Sequence, residues 1–482
     1  MKRLLFNQCV VERRYVRACA AACVWMSLVS CGGSGVVGSG GTGQAASVTV
    51  GTVNGFGSVI VDGVAYDVTQ AVVVDEVAPG QDAVADVKLG DRVAVQVVGT
   101  AVASQVRVLP ALDGPVSAVA TAASFTVLGQ TVSVNPTGVG GPVTQFGGGY
   151  VQPGDVAVGD QVEVHAVVVE QGGATALQAT RVDKLAAAPA YLRVSGLISQ
   201  LSSTAPASLS VGALRVLLGG ASVVPAGATL AVGQAVSVLA LPGTLAIGSN
   251  GPSLTAAQLS VDTPSGTGQV FRASGSIAQL DTVAQTFLLG AQAVHYAAAA
   301  LLPAGVTLAN GQYVDIGATV AADGSLTATT VSVDDEQTDS SAELNGDISG
   351  LATGSALFTV RGVTVDASQA ALTGCPASGL TNGLFVQVQG TLISSGVVAR
   401  TVRCQAEPSG ATVTRQGQAG SVDTGSSRFT LALSGATSLT VRWSSTTFFG
   451  GVTPATLSGR TVEVEGTLAG SVLTASKIAL DN

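Results

Sequence analysis

The sequence predicts an all-β protein: six tandem small β-barrels of five to six strands each, threaded like beads on a string. Three observations carry this. Val-rich stretches alternate apolar and polar residues, as in VEVEG (462–466), which is the period of a strand with one face turned inward. These stretches recur behind a turn glycine (Gly90, Gly159, Gly233, Gly311, Gly383 and Gly459) at intervals of 69, 74, 78, 72 and 76 residues. After residue 31 no segment sustains a helical period, and the Ala run at 297–305 is stopped by Pro303.

The N-terminus comes first. Lys2, Arg3, Arg13, Arg14 and Arg17 form a positive region, and Ala18–Val29 is an uncharged run too short to span a bilayer. Residues 1–30 therefore read as an export signal. The tetrapeptide Leu28-Val29-Ser30-Cys31 resembles the lipobox of bacterial lipoproteins, in which the Cys becomes the first mature residue and carries acyl chains. Buried chains contribute about 0.8 kcal/mol per CH₂, enough in combination to hold a domain on a membrane. By the same resemblance, Gly32 in place of an Asp after Cys31 favours the outer membrane, facing the periplasm or the cell surface. An ordinary cleaved signal peptide is the other reading. Residues 31–47 then comprise the lipidated Cys and a Gly/Ser tether, which behaves as a flexible coil.

Six units follow, at 48–110, 111–190, 191–265, 270–336, 342–407 and 412–482. Each opens on a Gly-containing strand, such as SGLISQL (195–201) or NGDISGL (345–351). A hairpin with Gly near its tip comes next, as in FTVRGVTVD (358–366), and then the strand behind the turn glycine and a closing strand. Short strands in a unit of about 70 residues suit a small closed barrel, OB-like or similar, because closure removes exposed edges. A continuous solenoid with one shared core is the alternative. A transmembrane barrel would need aromatic girdles, and only 4% of residues are aromatic.

The first unit, GTVNGFGSVIVDGVAYDVTQA (51–71), resembles the opening of DUF5666, a domain of unknown function found in tandem in proteobacterial lipoproteins. The second part of that pattern is matched by Leu89–Gly99 and, in the last unit, by Val464-Glu465-Gly466. The resemblance spans nearly all of 48–482. Units three and four depart most, and unit three has Leu239 where the pattern has Gly. It implies small β-barrels in the cell envelope and no established activity.

Composition narrows the function. Charged residues are 11% of the chain, against roughly 25% in an ordinary soluble domain. At 47% apolar it is no disordered chain. The formal charge is −9, and loss of five basic residues and Glu12 with 1–30 makes it −13, which opposes a nucleic-acid partner. Once the signal is removed and Cys31 is lipidated, Cys375 and Cys404 remain. An oxidising periplasm would let them pair, and two unpaired buried thiols are the rival reading. His165 and His295 stand alone on strands and read as structural. Asp334, Asp335, Glu336 and Asp339 form an acidic cluster between units four and five that matches no calcium loop and reads as solvated linker. Trp443, Phe448 and Phe449 are the densest aromatic group, either core or a sugar-stacking surface. No GxSxG nucleophile motif with a His partner, metal set or cofactor motif emerges. The expectation is a non-enzymatic, lipid-anchored envelope protein acting as scaffold or binding arm, with the membrane and an envelope protein or glycan as partners. A carbohydrate- or peptidoglycan-binding array is the alternative.

Overall fold

The computed structural model describes residues 48–480 apart from 69, 100, 172–173, 263, 265, 334–339, 405–411 and 434–437. Strand makes up 60% of the described residues. The described helical elements are two single 3-10 turns, Pro153–Asp155 and Pro242–Thr244, so the protein is all-β.

Barrel 2 shows the plan. Its first strand, Leu112–Thr121, pairs antiparallel with the second, Ser124–Val127, and on its other side with the fourth, Gln161–Gln171. The second and third (Gln130–Val134) form a hairpin. The third runs parallel to the last, Ala174–Lys184, which returns antiparallel to the fourth. The ring closes in the order one, two, three, five, four, one, as a small OB-like Greek-key barrel. A short extra strand, Gln145–Gly147, lies parallel to the last strand beyond the third. The same ring recurs in barrels 3, 4, 5 and 6. In barrel 1 a single bridge, Asp67 to Val102, stands where the others have the third-to-last ladder.

The repeated glycines have a backbone cause. All six turn glycines sit in the left-handed region, with φ between 77° and 93°. Each donates its N–H to a carbonyl of its barrel's first strand at 2.7–2.9 Å, so the turn fastens the fourth strand to the first. The glycine after VxV marks a β-bulge. At Gly466 an added Cβ would lie 2.1 Å from the Thr474 carbonyl oxygen. Barrel 3 keeps a bulge at this point, between Leu239 and Ala240, and the register puts Ala240 rather than Leu239 at the place of Gly466, so the bulge survives without the glycine.

Each ring is filled from inside by Val, Leu and Ile, with one large residue on the second strand. Phe125, Phe287, Phe358 and Phe429 take that place in barrels 2, 4, 5 and 6, and Leu209 in barrel 3, all fully buried. One such side chain fills a narrow interior, which is why so few aromatics suffice.

The expected partial contacts between the beads include shared sheet pairing. Val48–Val50 of barrel 1 pair parallel with Phe271–Ala273 of barrel 4, and Gly55–Phe56 pair with Glu343–Leu344 of barrel 5. Leu112–Asp113 pair with Arg193–Val194 across barrels 2 and 3. Barrels 1 and 5 share one hydrophobic cluster, and barrels 2 and 3 share another. Barrel 4's cluster draws in Val48 and Val50, while barrel 6 has its own. The physical reason is surface. Barrels of this size are only marginally stable alone, and a chain with 11% charge has little polar surface to cover six separate ones.

Because Phe429 plugs a core that barrel 6 shares with no other barrel, Phe429→Ala is expected to cost about 3–5 kcal/mol. Hydrogen exchange should then show barrel 6 opening first, with the exchange of barrels 2 and 3 unchanged.

Candidate functional site

The scarce charges gather where barrels meet. In VEVHAVV (162–168) Val162 and Val164 fill barrel 2, so Glu163 and His165 point outward, against barrel 1. His165 is 1% exposed. Its Nε2 lies 3.3 Å from Glu163 and 3.4 Å from Asp91 of barrel 1, and its Nδ1 accepts the Arg92 N–H at 3.1 Å. Arg181 donates to Asp183 at 2.7 Å and to the Leu89 carbonyl of barrel 1 at 2.8 Å, and Lys88 reaches Asp183 at 3.0 Å. His165 is thus a member of an interfacial ion cluster, a role invisible while it was a lone histidine on a strand.

Other junctions follow suit. Arg193 of barrel 3 bonds Asp113 of barrel 2 at 2.8 Å and Asp75 of barrel 1 at 3.1 Å. Arg92 of barrel 1 donates to the Ser274 carbonyl and hydroxyl of barrel 4, at 2.9 and 3.2 Å. The Ser274 hydroxyl in turn donates to Asp62 at 2.5 Å. Arg361 of barrel 5 meets Glu463 of barrel 6 at 2.6 Å, and Arg415 of barrel 6 meets Asp347 of barrel 5 at 3.3 Å while stacking over Phe385. Main-chain bonds join barrels 2 and 5, with the Phe146 N–H donating to the Ser394 carbonyl at 3.2 Å.

Burial acts on these groups. It pushes Asp62 up to about 6 despite the nearby Arg92, and Asp347 up to about 6 despite Arg415. Asp113 is raised for the same reason against the pull of Arg193. For His165, burial works to lower the value, but Asp91 and Glu163 outweigh it and the group is raised. The Arg92 N–H on Nδ1 places the ring's proton on Nε2, facing those carboxylates.

An opening lies between barrels 1, 2, 5 and 6. It is a cleft of about 1150 Å³ with walls as polar as they are apolar. Turn segments line it: Phe56–Val59 and Asp86–Leu89 of barrel 1, Gln145–Gly148 of barrel 2, and Arg361–Thr364 of barrel 5. Barrel 6 contributes an outward strand face with Thr414, Gln416, Glu465 and Lys477.

Of the residues singled out in the sequence, Cys375 and Cys404 form a disulfide, with Cα atoms 4.7 Å apart. Closing a 29-residue separation in barrel 5 stabilises by about 3–4 kcal/mol in the chain-entropy model. His295 is exposed on a strand of barrel 4. Trp443 packs between Phe429 and Phe449, at centroid distances of 6.1 and 6.2 Å, and joins the barrel 6 core, so this group is no flat platform. Cys31 and the acidic cluster Asp334, Asp335, Glu336 and Asp339 lie outside the described residues. The sequence reading missed the ion cluster because its members are scattered over barrels. The only local signal was charge at outward positions of otherwise apolar strands.

Residues 113–183, 274–332 and 416–479, which fall on barrels 2, 4 and 6, match the family described as "Domain of unknown function (DUF5666)". Barrel 4 is among them although its sequence departs most from the pattern, and barrel 1, which carries the opening motif, is not. The solved structure drosophila Unr CSD456 is similar at 14% identity over 44% of this chain and 97% of its own, with a TM-score of 0.12. No curated protein matches the chain.

Two outcomes follow from the junctions. Arg193→Met leaves Asp113 and Asp75 buried without their cation and is expected to cost about 3–5 kcal/mol. Arg193→Met combined with Asp113→Asn should recover part of that loss in urea titrations. A carboxyl whose folded value lies above its unfolded one keeps a proton in the fold after the unfolded chain has released it. Asp62 and Asp347 thus favour the fold in full below the unfolded value of 3.8 and withdraw that contribution as pH rises from there through about 6. Asp183 and Glu163 are held low by Arg181 and His165 despite burial, so their contribution is lost only as pH falls through their lowered values. Calorimetry should place the highest Tm near pH 5, above the value at pH 7.5.

Proposed function

From a chain that carries DUF5666 domains in tandem, we propose a non-enzymatic, lipid-anchored cell-envelope protein whose barrels serve as a scaffold. The observation that carries this reading is the position of barrel 1. It touches barrel 4 and barrel 5 by strand pairing, and barrels 2 and 3 by the buried pairs His165–Asp91 and Arg193–Asp75. The Lys477 ammonium of barrel 6 reaches its Val68 carbonyl. Units distant in sequence are thereby held in fixed relation, as a scaffold requires and a string of independent binding modules does not. The lipobox at Leu28–Cys31 and the Gly/Ser tether support anchorage on the outer membrane, and the disulfide supports an oxidising compartment.

Ser274 illustrates why a catalytic reading is less supported. Its hydroxyl is bonded by Asp62, Arg92 and Tyr313, and the residue is 3% exposed, so it works as a joint between barrels. The carbohydrate reading loses Trp443 as a stacking surface, and its support rests on the polar cleft instead.

Fractionation of cells carrying wild-type protein and Cys31→Ala tests the anchor. The wild type should pellet with the outer membrane and the variant should become soluble in the periplasm. Equal pelleting of both would remove the lipid anchor. A photo-crosslinker at Val283, which is 93% exposed, should capture a discrete envelope partner in intact cells.

A further inference from the structure

We propose that the cleft between barrels 1, 2, 5 and 6 binds a polyhydroxylated ligand carrying a single carboxylate, an acidic sugar, and that Lys477 receives the carboxylate. The starting point is an anomaly. Lys477, on the last strand of barrel 6, is 6% exposed. Folded proteins almost never bury a lysine fully without pairing it. The one bond the structure gives its ammonium is to the Val68 carbonyl at 3.4 Å, longer than an ordinary N–H···O contact. Glu465 lies directly across the ladder from it, yet among the described residues no carboxylate forms an ion pair with Lys477. An ammonium has three donors, so this one has capacity left over, and it lines the cleft.

The rest of the lining selects the ligand class. Four basic groups face the cleft: Lys88, Arg181, Arg361 and Lys477. Lys88 and Arg181 are engaged by Asp183, and Arg361 by Glu463. Asp67, Asp86, Glu463 and Glu465 balance them in formal charge. A polyanion would meet four carboxylates here with one uncommitted cation to hold it. A ligand with one carboxylate among hydroxyls meets one ammonium for its charge. Its hydroxyls, each donor and acceptor, face a wall that mixes both kinds of group. The walls belong to four barrels, so the ligand would be gripped on several sides, and the opening is roomy enough for more than one ring, at about 1150 Å³.

Calorimetric titration of the full chain tests this with three disaccharides that each carry one carboxylate: N-acetylglucosaminyl-N-acetylmuramic acid, cellobiouronic acid and galacturonosyl-galactose. Their neutral counterparts are N,N′-diacetylchitobiose, cellobiose and galactobiose. At least one acid should bind about tenfold or more tighter than its counterpart, as a charge-assisted bond requires. Lys477→Met should abolish that preference while leaving near-ultraviolet dichroism unchanged, and Lys477→Arg should retain it. Equal affinity for acid and neutral sugar in the wild type overturns the proposal without any variant. So does the absence of binding by all three acids, or an undiminished preference in a folded Lys477→Met. The scaffold reading makes no claim on this cleft and stands or falls on fractionation and crosslinking, so the two can fail separately.

Discussion

A barrel of about seventy residues covers only about 60% of the surface its unfolded chain exposes. That limit governs this molecule. Val, Leu and Ile fill each ring, but a five-stranded ring is too narrow to bury much, and the outward faces of the strands must go somewhere. Here they go against other barrels, through the shared clusters of barrels 1 with 5 and 2 with 3. Small rings give simple local closure, and pooled faces supply the stability the rings lack alone.

The polar side of the same economy sets the geometry. Ion pairs buried at the junctions add little net stability, because desolvation consumes most of the Coulomb gain. They do penalise misdocking, since a shifted interface would strand Arg193, Asp113 or Asp75 without partners. In this protein they fix which barrel meets which, while apolar contact supplies the adhesion.

Much of the ring was legible in the sequence, for local reasons. The turn glycines are readable because only a residue without Cβ holds their backbone angle cheaply, and the alternation because one face of each strand is in water or at an interface while the other is not. The docking was illegible. Outward positions such as Glu163 and His165 read alike whether they face solvent or another barrel, and nothing local to residues 48–56 announces partners more than two hundred residues away. Nothing in the alternating strand around Lys477 sets it apart from an ordinary surface lysine. Only the placement of barrel 1 against barrel 6 reveals that it is covered. Trp443 was ambiguous in sequence because aromatic density looks the same in a core and on a platform, and its two ring neighbours decide for the core.

The pairing of barrel 1's opening strand with strands of barrels 4 and 5 has a consequence for biogenesis. Synthesis delivers that strand early, but its edge partners at residues 271–273 and 343–344 emerge long afterward. Until then, nascent barrel 1 carries an open edge and an uncovered apolar flank, the condition that invites aggregation and holdase chaperones. Barrel 1, made before barrels 2 to 6, is therefore among the last of them to be completed.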